Sequence, residues 1–297
     1  MSKKILKALI LLFFLGTSSA FADTVKIKND KTPVQLASDS TQVVAFLNAG
    51  DEVEKVSASG KMYQISYQTK GGNKIEGWIK AGNIEGAQLT AEQAGRVAAT
   101  CALYLYNNRR DEFAYQGPRY ETSGRKAAYE GKKTTSYLYG TSSHYPGKQT
   151  GPGKRTKFFM DCGGFMNIVV HWSLGIGGDT YHNFTSGSSP YTDKIDARKL
   201  GVSSNGKVNS TFVSNLKPGD IIKFKGHYAM YVGDGKIAEM INHGSPSWDS
   251  WTLKYRSVTA YNNYSACQYV IRLNDYAAQL IDYNSIPSEY IPDNLFD

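Results

Sequence analysis

The 297-residue sequence predicts an α+β protein in which a small β-barrel precedes a cysteine-bearing helix packed on an antiparallel sheet. Three observations lead there. Asp23 to about Gly86 carries short alternating apolar runs broken by turn residues, the spacing of a small barrel. Asp161 to Leu174 is an apolar helical run that opens on a cysteine and two glycines. Leu216 to Leu273 is rich in strand-length runs joined by Gly- and Asp-bearing turns.

In chain order, Lys3, Lys4 and Lys7 precede an unbroken apolar run from Ala8 to Leu15, and small residues then lead to Ala20-Phe21-Ala22. That pattern predicts a signal peptide over 1–22, cut before Asp23, and an exported, periplasmic or secreted protein. The run is too short to span a bilayer and no later stretch is long enough, so no stable membrane insertion is expected. No Cys follows it closely, so no lipid anchor is expected either. The barrel domain is placed at 23–88. It contains Val43 to Leu47, Glu52 to Val56, Met62 to Tyr67 and Gly77-Trp78-Ile79. The second domain is placed at 89–275, opening on a helix from Thr90 to Arg110. Thr90 is its cap, Glu92 and Gln93 sit in its first turn and Arg109-Arg110 at its C-terminal end. Glu112 to Lys157 is rich in Gly, Tyr, Ser, Thr and Lys without apolar periodicity and is expected to be a long functional loop. Asn274 to Asp297 has two prolines and is expected to run over the surface, with 276–297 as a C-terminal extension.

Net charge narrows the partners. The formal charge of +8 includes the three early lysines and falls to about +5 without them. That surplus suits an anionic wall or membrane surface. No dense Lys/Arg block is present, so nucleic acid is not an expected partner. Three cysteines in an exported chain leave one over as a free reactive thiol. Cys101 and Cys267 fit either a disulfide or two buried thiols.

Cys162 differs from both. A thiol at a helix N-terminus sits at the positive end of the helix dipole, which favours the thiolate that attacks carbonyl carbon. Flanking Asp161, Gly163 and Gly164 suit a site that other backbone or substrate approaches closely. Downstream, Pro218-Gly219-Asp220 turns into a strand, and Lys225-Gly226 leads to His227 and the strand Tyr228 to Val232. A strand-edge His facing the helix start can take the thiol proton and return it to a leaving amine. The residue orienting His227 depends on the turn at Gly233-Asp234-Gly235. A two-residue turn pairs 227 with Asn242, and a three-residue turn puts Glu239 on the His227 face. His171, within the Cys162 helix, is expected to pack, and His144 and His182 to be solvated. His243 lies near the orienting position. No His/Cys/Asp spacing makes a metal site, so no metal and no cofactor are expected.

The first domain resembles bacterial SH3-like wall-targeting domains, in which a Gly-Asp turn precedes one strand and Gly-Trp-Ile closes another. Asp161-Cys162-Gly163-Gly164-Phe165, the Pro-Gly-Asp turn, and Gly226-His227-Tyr228-Ala229-Met230-Tyr231-Val232-Gly233-Asp234-Gly235 resemble the NlpC family of papain-like peptidoglycan endopeptidases over roughly residues 90–273. The resemblance implies a papain-like domain that hydrolyses an amide of peptidoglycan stem peptides, typically between D-Glu and a diamino acid. It implies Cys162 as nucleophile and His227 as base. The family's orienting residue stands twelve positions beyond the base, which is Glu239 here. Tyr137 stands where the family has a tyrosine that helps at the oxyanion site, after an insertion of about a dozen residues. Asp161 and Gly163 become substrate-side positions, and Gly163 replaces the family's usual Ser or Ala. Cys, His, Glu and Asn also resemble the set of CHAP amidases, which cut the muramic acid–L-Ala amide or peptide cross-bridges. A catalytically inactive wall-binding protein is a further alternative.

Overall fold

The computed structural model describes residues 24–59, 61–85, 89–115, 122–142, 145–178, 181–241, 252–262 and 265–295; the expected signal peptide lies outside them. The alternating runs at the N-terminus form six strands, β1 (Thr24–Lys26), β2 (Thr32–Gln35), β3 (Val43–Leu47), β4 (Glu52–Ser59), β5 (Met62–Gln68) and β6 (Lys74–Lys80). They make one antiparallel sheet in the order β1-β4-β5-β6-β2-β3. Because side chains alternate along each strand, Val34, Leu47, Val53, Ile65 and Ile79 fall on one buried side.

Helix α1 (Ala91–Arg109) follows, and its start is fixed by a reciprocal cap. The Thr90 hydroxyl accepts from the Gln93 amide at 3.2 Å, and the Gln93 side chain accepts from the Thr90 amide at 2.9 Å. The stretch expected to be a long loop is instead structured. It forms β7 (Phe113–Tyr115), α2 (Thr122–Tyr129), β8 (Thr134–Ser142) and β9 (Tyr145–Met160), with β7 parallel to β9 and β8 antiparallel to it. The Tyr and Thr residues that hide any apolar period are strong strand formers, and hydroxyl pairs such as Thr135–Thr156 at 2.7 Å tie the ribbon across its strands.

Helix α3 (Cys162–Leu174) leads by way of β10 (Thr192–Asp196) and α4 (Ser210–Asn215) into β11 (Ile221–Phe224), β12 (His227–Gly233), β13 (Lys236–Ile241), β14 (Thr252–Ser257) and β15 (Cys267–Leu273). This second antiparallel sheet has the order β10-β15-β11-β12-β13-β14. Its strands have one apolar set on each face. Ile221, Met230, Ile271 and Leu273 pack with α1 and α3, and Ile222, Phe224, Ala229, Ile237 and Val270 pack with Phe212 of α4. The chain is therefore a mixed α+β protein, mostly sheet with few helices.

The last segment corrects a second expectation. After α5 (Asp275–Gln279), Ile286, Tyr290, Ile291 and Leu295 are buried in the same cluster as α1 and the N-terminal sheet. Arg96 of α1 donates to Asn294 Oδ1 at 2.6 Å, and Tyr290 meets Tyr104 edge-on at 5.5 Å. These apolar residues are carried by short 3-10 turns, and their spacing fits neither a helix nor a strand. Cys101, Cys162 and Cys267 are all free and buried. Cys101 and Cys267 belong to different core clusters and are unpaired, and burial raises the pKa of each, that of Cys267 to about 12. Among the described residues no helix is long and apolar enough to cross a membrane.

Candidate active site

Asp161 starts the helix that carries Cys162. Its extended backbone lets the carboxylate turn back and accept the Gly164 amide at 2.7 Å, while its carbonyl accepts the Phe165 amide at 3.0 Å. The other carboxylate oxygen pairs with Arg125 of α2. Asp161, expected on the substrate side, is thus buried and committed to the cap. The two glycines differ in what they permit. A Cβ at Gly164 would come within 2.9 Å of the Met160 Cβ and 3.2 Å of the Arg125 Cγ, whereas one at Gly163 would meet nothing closer than 3.6 Å. Gly164 lets Arg125 and β9 close over the helix start; position 163 has room for the small side chains of the NlpC pattern.

His227 opens β12, and its orienting residue follows from the hairpin register. Gly233 pairs with Lys236, so the turn itself is the two-residue Asp234-Gly235, both with positive φ (49° and 68°). A bulge at Val232 then inserts one residue into β12, and Tyr231 pairs with Ile237 and Met230 with Ala238. The bulge restores the register of the three-residue alternative. Continued by one residue it sets Ala229 opposite Glu239, which brings Glu239 to the His227 face. Accordingly His227 Nε2 lies 2.7 Å from Glu239 Oε2. Cys162 lies near enough to the ring to act on it, since its sulfur helps to raise the imidazole. With Nε2 occupied by the carboxylate, Nδ1 is the nitrogen left for the thiol.

Two residues complete this cluster that sequence reasoning missed, Arg256 and Tyr261. Glu239 has no solvent exposure; its Oε2 accepts the Tyr261 hydroxyl at 2.6 Å and its Oε1 lies 2.5 Å from Arg256 Nε. Arg256 also donates to the Tyr261 hydroxyl at 2.8 Å, and the Tyr261 ring stacks on His227 with centroids 5.1 Å apart. Both come from β14 and the turn after it, beyond residues that lie outside the described ones. Their only signal in the sequence is an Arg in the strand that follows the hairpin.

The charges follow from these contacts. Burial by itself lowers the pKa of His227, but the hydrogen bonds and charges of Cys162 and Glu239 outweigh it and raise the imidazole to about 9. Burial pushes the Glu239 carboxyl up, and His227, Arg256 and Tyr261 together bring it below its ordinary value, so the carboxylate stays ionised. Burial, with that carboxylate beside it, raises the Tyr261 phenol strongly, so Tyr261 remains a donor. Beside the ionised carboxylate, the imidazole and the Cys162 sulfur can share and exchange one proton.

The structure does not bring together every expected residue. Tyr137 lies on β8, paired with Lys154, and its side chain lies outside the described residues. Asn242, the alternative orienting residue, lies outside them, as do His144 and His243. His171 packs as expected, stacked on Tyr129 at 3.7 Å. His182 is half-buried against Phe184 and Tyr191 and bonds Ser189 at 3.0 Å, which differs from the solvated loop position expected for it.

Neither a protein-family description nor a curated protein matches the chain. Among solved structures it is similar to NlpC2 from Trichomonas vaginalis, at 15% identity over 84% of this chain and 72% of that one, with a TM-score of 0.25. It is similar to NlpC1 from the same organism at 16% identity, over 83% and 67%, with a TM-score of 0.24. A NlpC/P60 family protein from Bacillus cereus gives 12% identity over 83% and 63%, with a TM-score of 0.22. Overlaps this loose give no residue a role.

Proposed function

We propose that the chain is an exported NlpC-type cysteine peptidase that hydrolyses an amide of peptidoglycan stem peptides, between D-Glu and a diamino acid. One observation carries the reading: Cys162, at a helix start, acts directly on the imidazole of His227, whose Nε2 is held by the buried Glu239. In this reading His227 takes the Cys162 proton and the thiolate attacks the amide carbonyl carbon. The Cys162 and Gly163 N–H groups, first-turn donors that a helix leaves unpaired, meet the oxyanion. His227 returns the proton to the leaving amine, and a water that His227 deprotonates cleaves the thioester, freeing the acid and the thiol. Glu239 fixes the ring and balances its charge, and Arg256 and Tyr261 position Glu239. The N-terminal sheet is read as an SH3-like module that holds the enzyme on the wall, and Tyr137 as a further oxyanion donor.

A carboxylate as third member is also the CHAP pattern, so bond identity is the discriminating observation. Mass spectrometry of purified sacculi digested with the protein is expected to show new termini at D-Glu and the diamino acid. Free muramic acid lactyl groups paired with new L-Ala amines would instead establish the amidase.

A further inference from the structure

A row of side chains crosses the second sheet from the candidate nucleophile to the sheet edge. Tyr228, Lys223 and Tyr269 are successive cross-strand partners on β12, β11 and β15, so they share one face. The row begins beside Cys162, because a Cβ on Gly163 would lie 3.8 Å from the Tyr228 ring. Lys223 Nζ stands 3.8 Å from the Tyr228 centroid, the Tyr228 and Tyr269 hydroxyls are 3.4 Å apart, and Lys194 Nζ, from edge strand β10, stands 4.2 Å from the Tyr269 centroid. Across β12, β11, β15 and β10 the order is ring, ammonium, ring, ammonium. Aromatic faces hold an ammonium in place without neutralising it.

Among the described residues no carboxylate pairs with either lysine. Asp196, opposite Tyr269 in register, accepts the Arg198 amide at 2.9 Å, and Asp193 faces the Asn274 amide at 3.5 Å. The chain from Tyr181 to Tyr191 forms a wall beside the row. The Thr185 carbonyl accepts the Tyr228 hydroxyl at 3.4 Å, and Gly187 is close enough that a Cβ on it would lie 3.7 Å from Lys194 Nζ. Asn167, fully buried in α3, pins this wall by accepting the Phe184 amide at 2.9 Å. The lysines are thus held by rings and bordered by a fixed wall, while their charge is left for something that arrives.

We propose that Lys194 and Lys223 form a subsite for a free carboxylate of the substrate peptide, carried next to the amide that Cys162 attacks. The proposal rests on the peptidase reading and narrows it, because it requires an acidic residue at the cleavage point. A carboxylate between two ammonium groups that have no other anion gains charge-assisted hydrogen bonds, and a carboxamide there does not.

The test measures binding to the full chain carrying Cys162→Ala, so that the ligand is not consumed. The probes are L-alanyl-γ-D-glutamyl-L-lysine and the same peptide with its glutamyl α-carboxylate converted to carboxamide. The carboxylate peptide is expected to bind about tenfold tighter. Adding Lys194→Met and Lys223→Met, which keep the stems over the rings, is expected to erase that preference and leave affinity for the carboxamide peptide unchanged. Equal binding of the two peptides, no binding of the carboxylate peptide, or a preference that survives the double substitution overturns the subsite. Turnover by the unsubstituted chain is read separately. A preference without cleavage keeps the subsite and refutes the peptidase, and cleavage without a preference does the reverse.

Discussion

Replacing Glu239 by Gln keeps the volume of a side chain with no solvent exposure but removes the charge that His227 and Arg256 share. The magnitude follows from the imidazole. Partners raise it from its ordinary 6.5 to about 9, which at about 1.4 kcal/mol per pH unit is about 3 kcal/mol. Because the folded value lies above the unfolded one, this stability is complete below 6.5 and is lost as pH rises through about 9. Cys162 and Glu239 raise the imidazole together against burial, and a hydrogen bond to a charged partner such as the one from Glu239 contributes about 1.5–3 kcal/mol. The assay compares denaturant unfolding of Cys162→Ala with that of Cys162→Ala plus Glu239→Gln, since without the thiol only the Glu239–His227 couple remains. The Gln variant is expected to be less stable at both pH 6 and pH 10. Its deficit is expected to be larger at pH 6 by about 2 kcal/mol, because Arg256 loses its partner at both values while the imidazolium is lost only at the lower. In the chain with Cys162 intact, Glu239→Gln is expected to lower turnover at least about 100-fold. A deficit that does not change between pH 6 and pH 10 would refute the assignment of Glu239 as the partner of the charged ring.

Two further substitutions test neighbouring links. Arg256→Gln removes the cation that competes with His227 for Glu239, so the alkaline limb of the pH–activity profile is expected to move up, whereas Glu239→Gln moves it down; limbs that shift in the same direction would show that Arg256 does not act through Glu239. Gly164→Ala, which would press a methyl to 2.9 Å from the Met160 Cβ, is expected to cost about 1–3 kcal/mol in thermal or denaturant unfolding, while Gly163→Ala is expected to fold like the parent; equal costs would contradict the packing of the helix start.

The α+β class was legible because the sheet that carries His227 and the helix that carries Cys162 have strong, local apolar patterns. The glycine pair beside Cys162 was legible as a close approach, but which glycine makes it depends on Arg125 and Met160, which lie in other elements. The hairpin shows the same limit more finely. Turn chemistry at Asp234-Gly235 supports the two-residue form that occurs, yet the bulge at Val232 gives the register of the other form. Such a bulge answers to the packing on both faces of the sheet, which no single strand encodes. The stretch from Glu112 to Lys157 was misread because a ribbon tied by its backbone ladder and by hydroxyl pairs such as Thr135–Thr156 needs no apolar period. The final segment was misread because its buried residues, Ile286, Tyr290, Ile291 and Leu295, are spaced by short 3-10 turns. Arg256 and Tyr261 left almost no signal for a third reason: their roles come from contacts with Glu239 and His227 that only the folded sheet makes.

The central claim is that the Cys162 sulfur performs the hydrolysis, and digestion of purified sacculi by the full chain and by Cys162→Ala tests it most directly. Cys162 is buried at a helix start where Ala is a small change, so the variant is expected to unfold cooperatively like the parent and to lose only the part of the His227 stabilisation that the sulfur supplies. The parent is expected to release muropeptides with new amine and carboxyl termini, and the Cys162→Ala chain to release none. Muropeptide release by Cys162→Ala at the parent's rate would contradict the account.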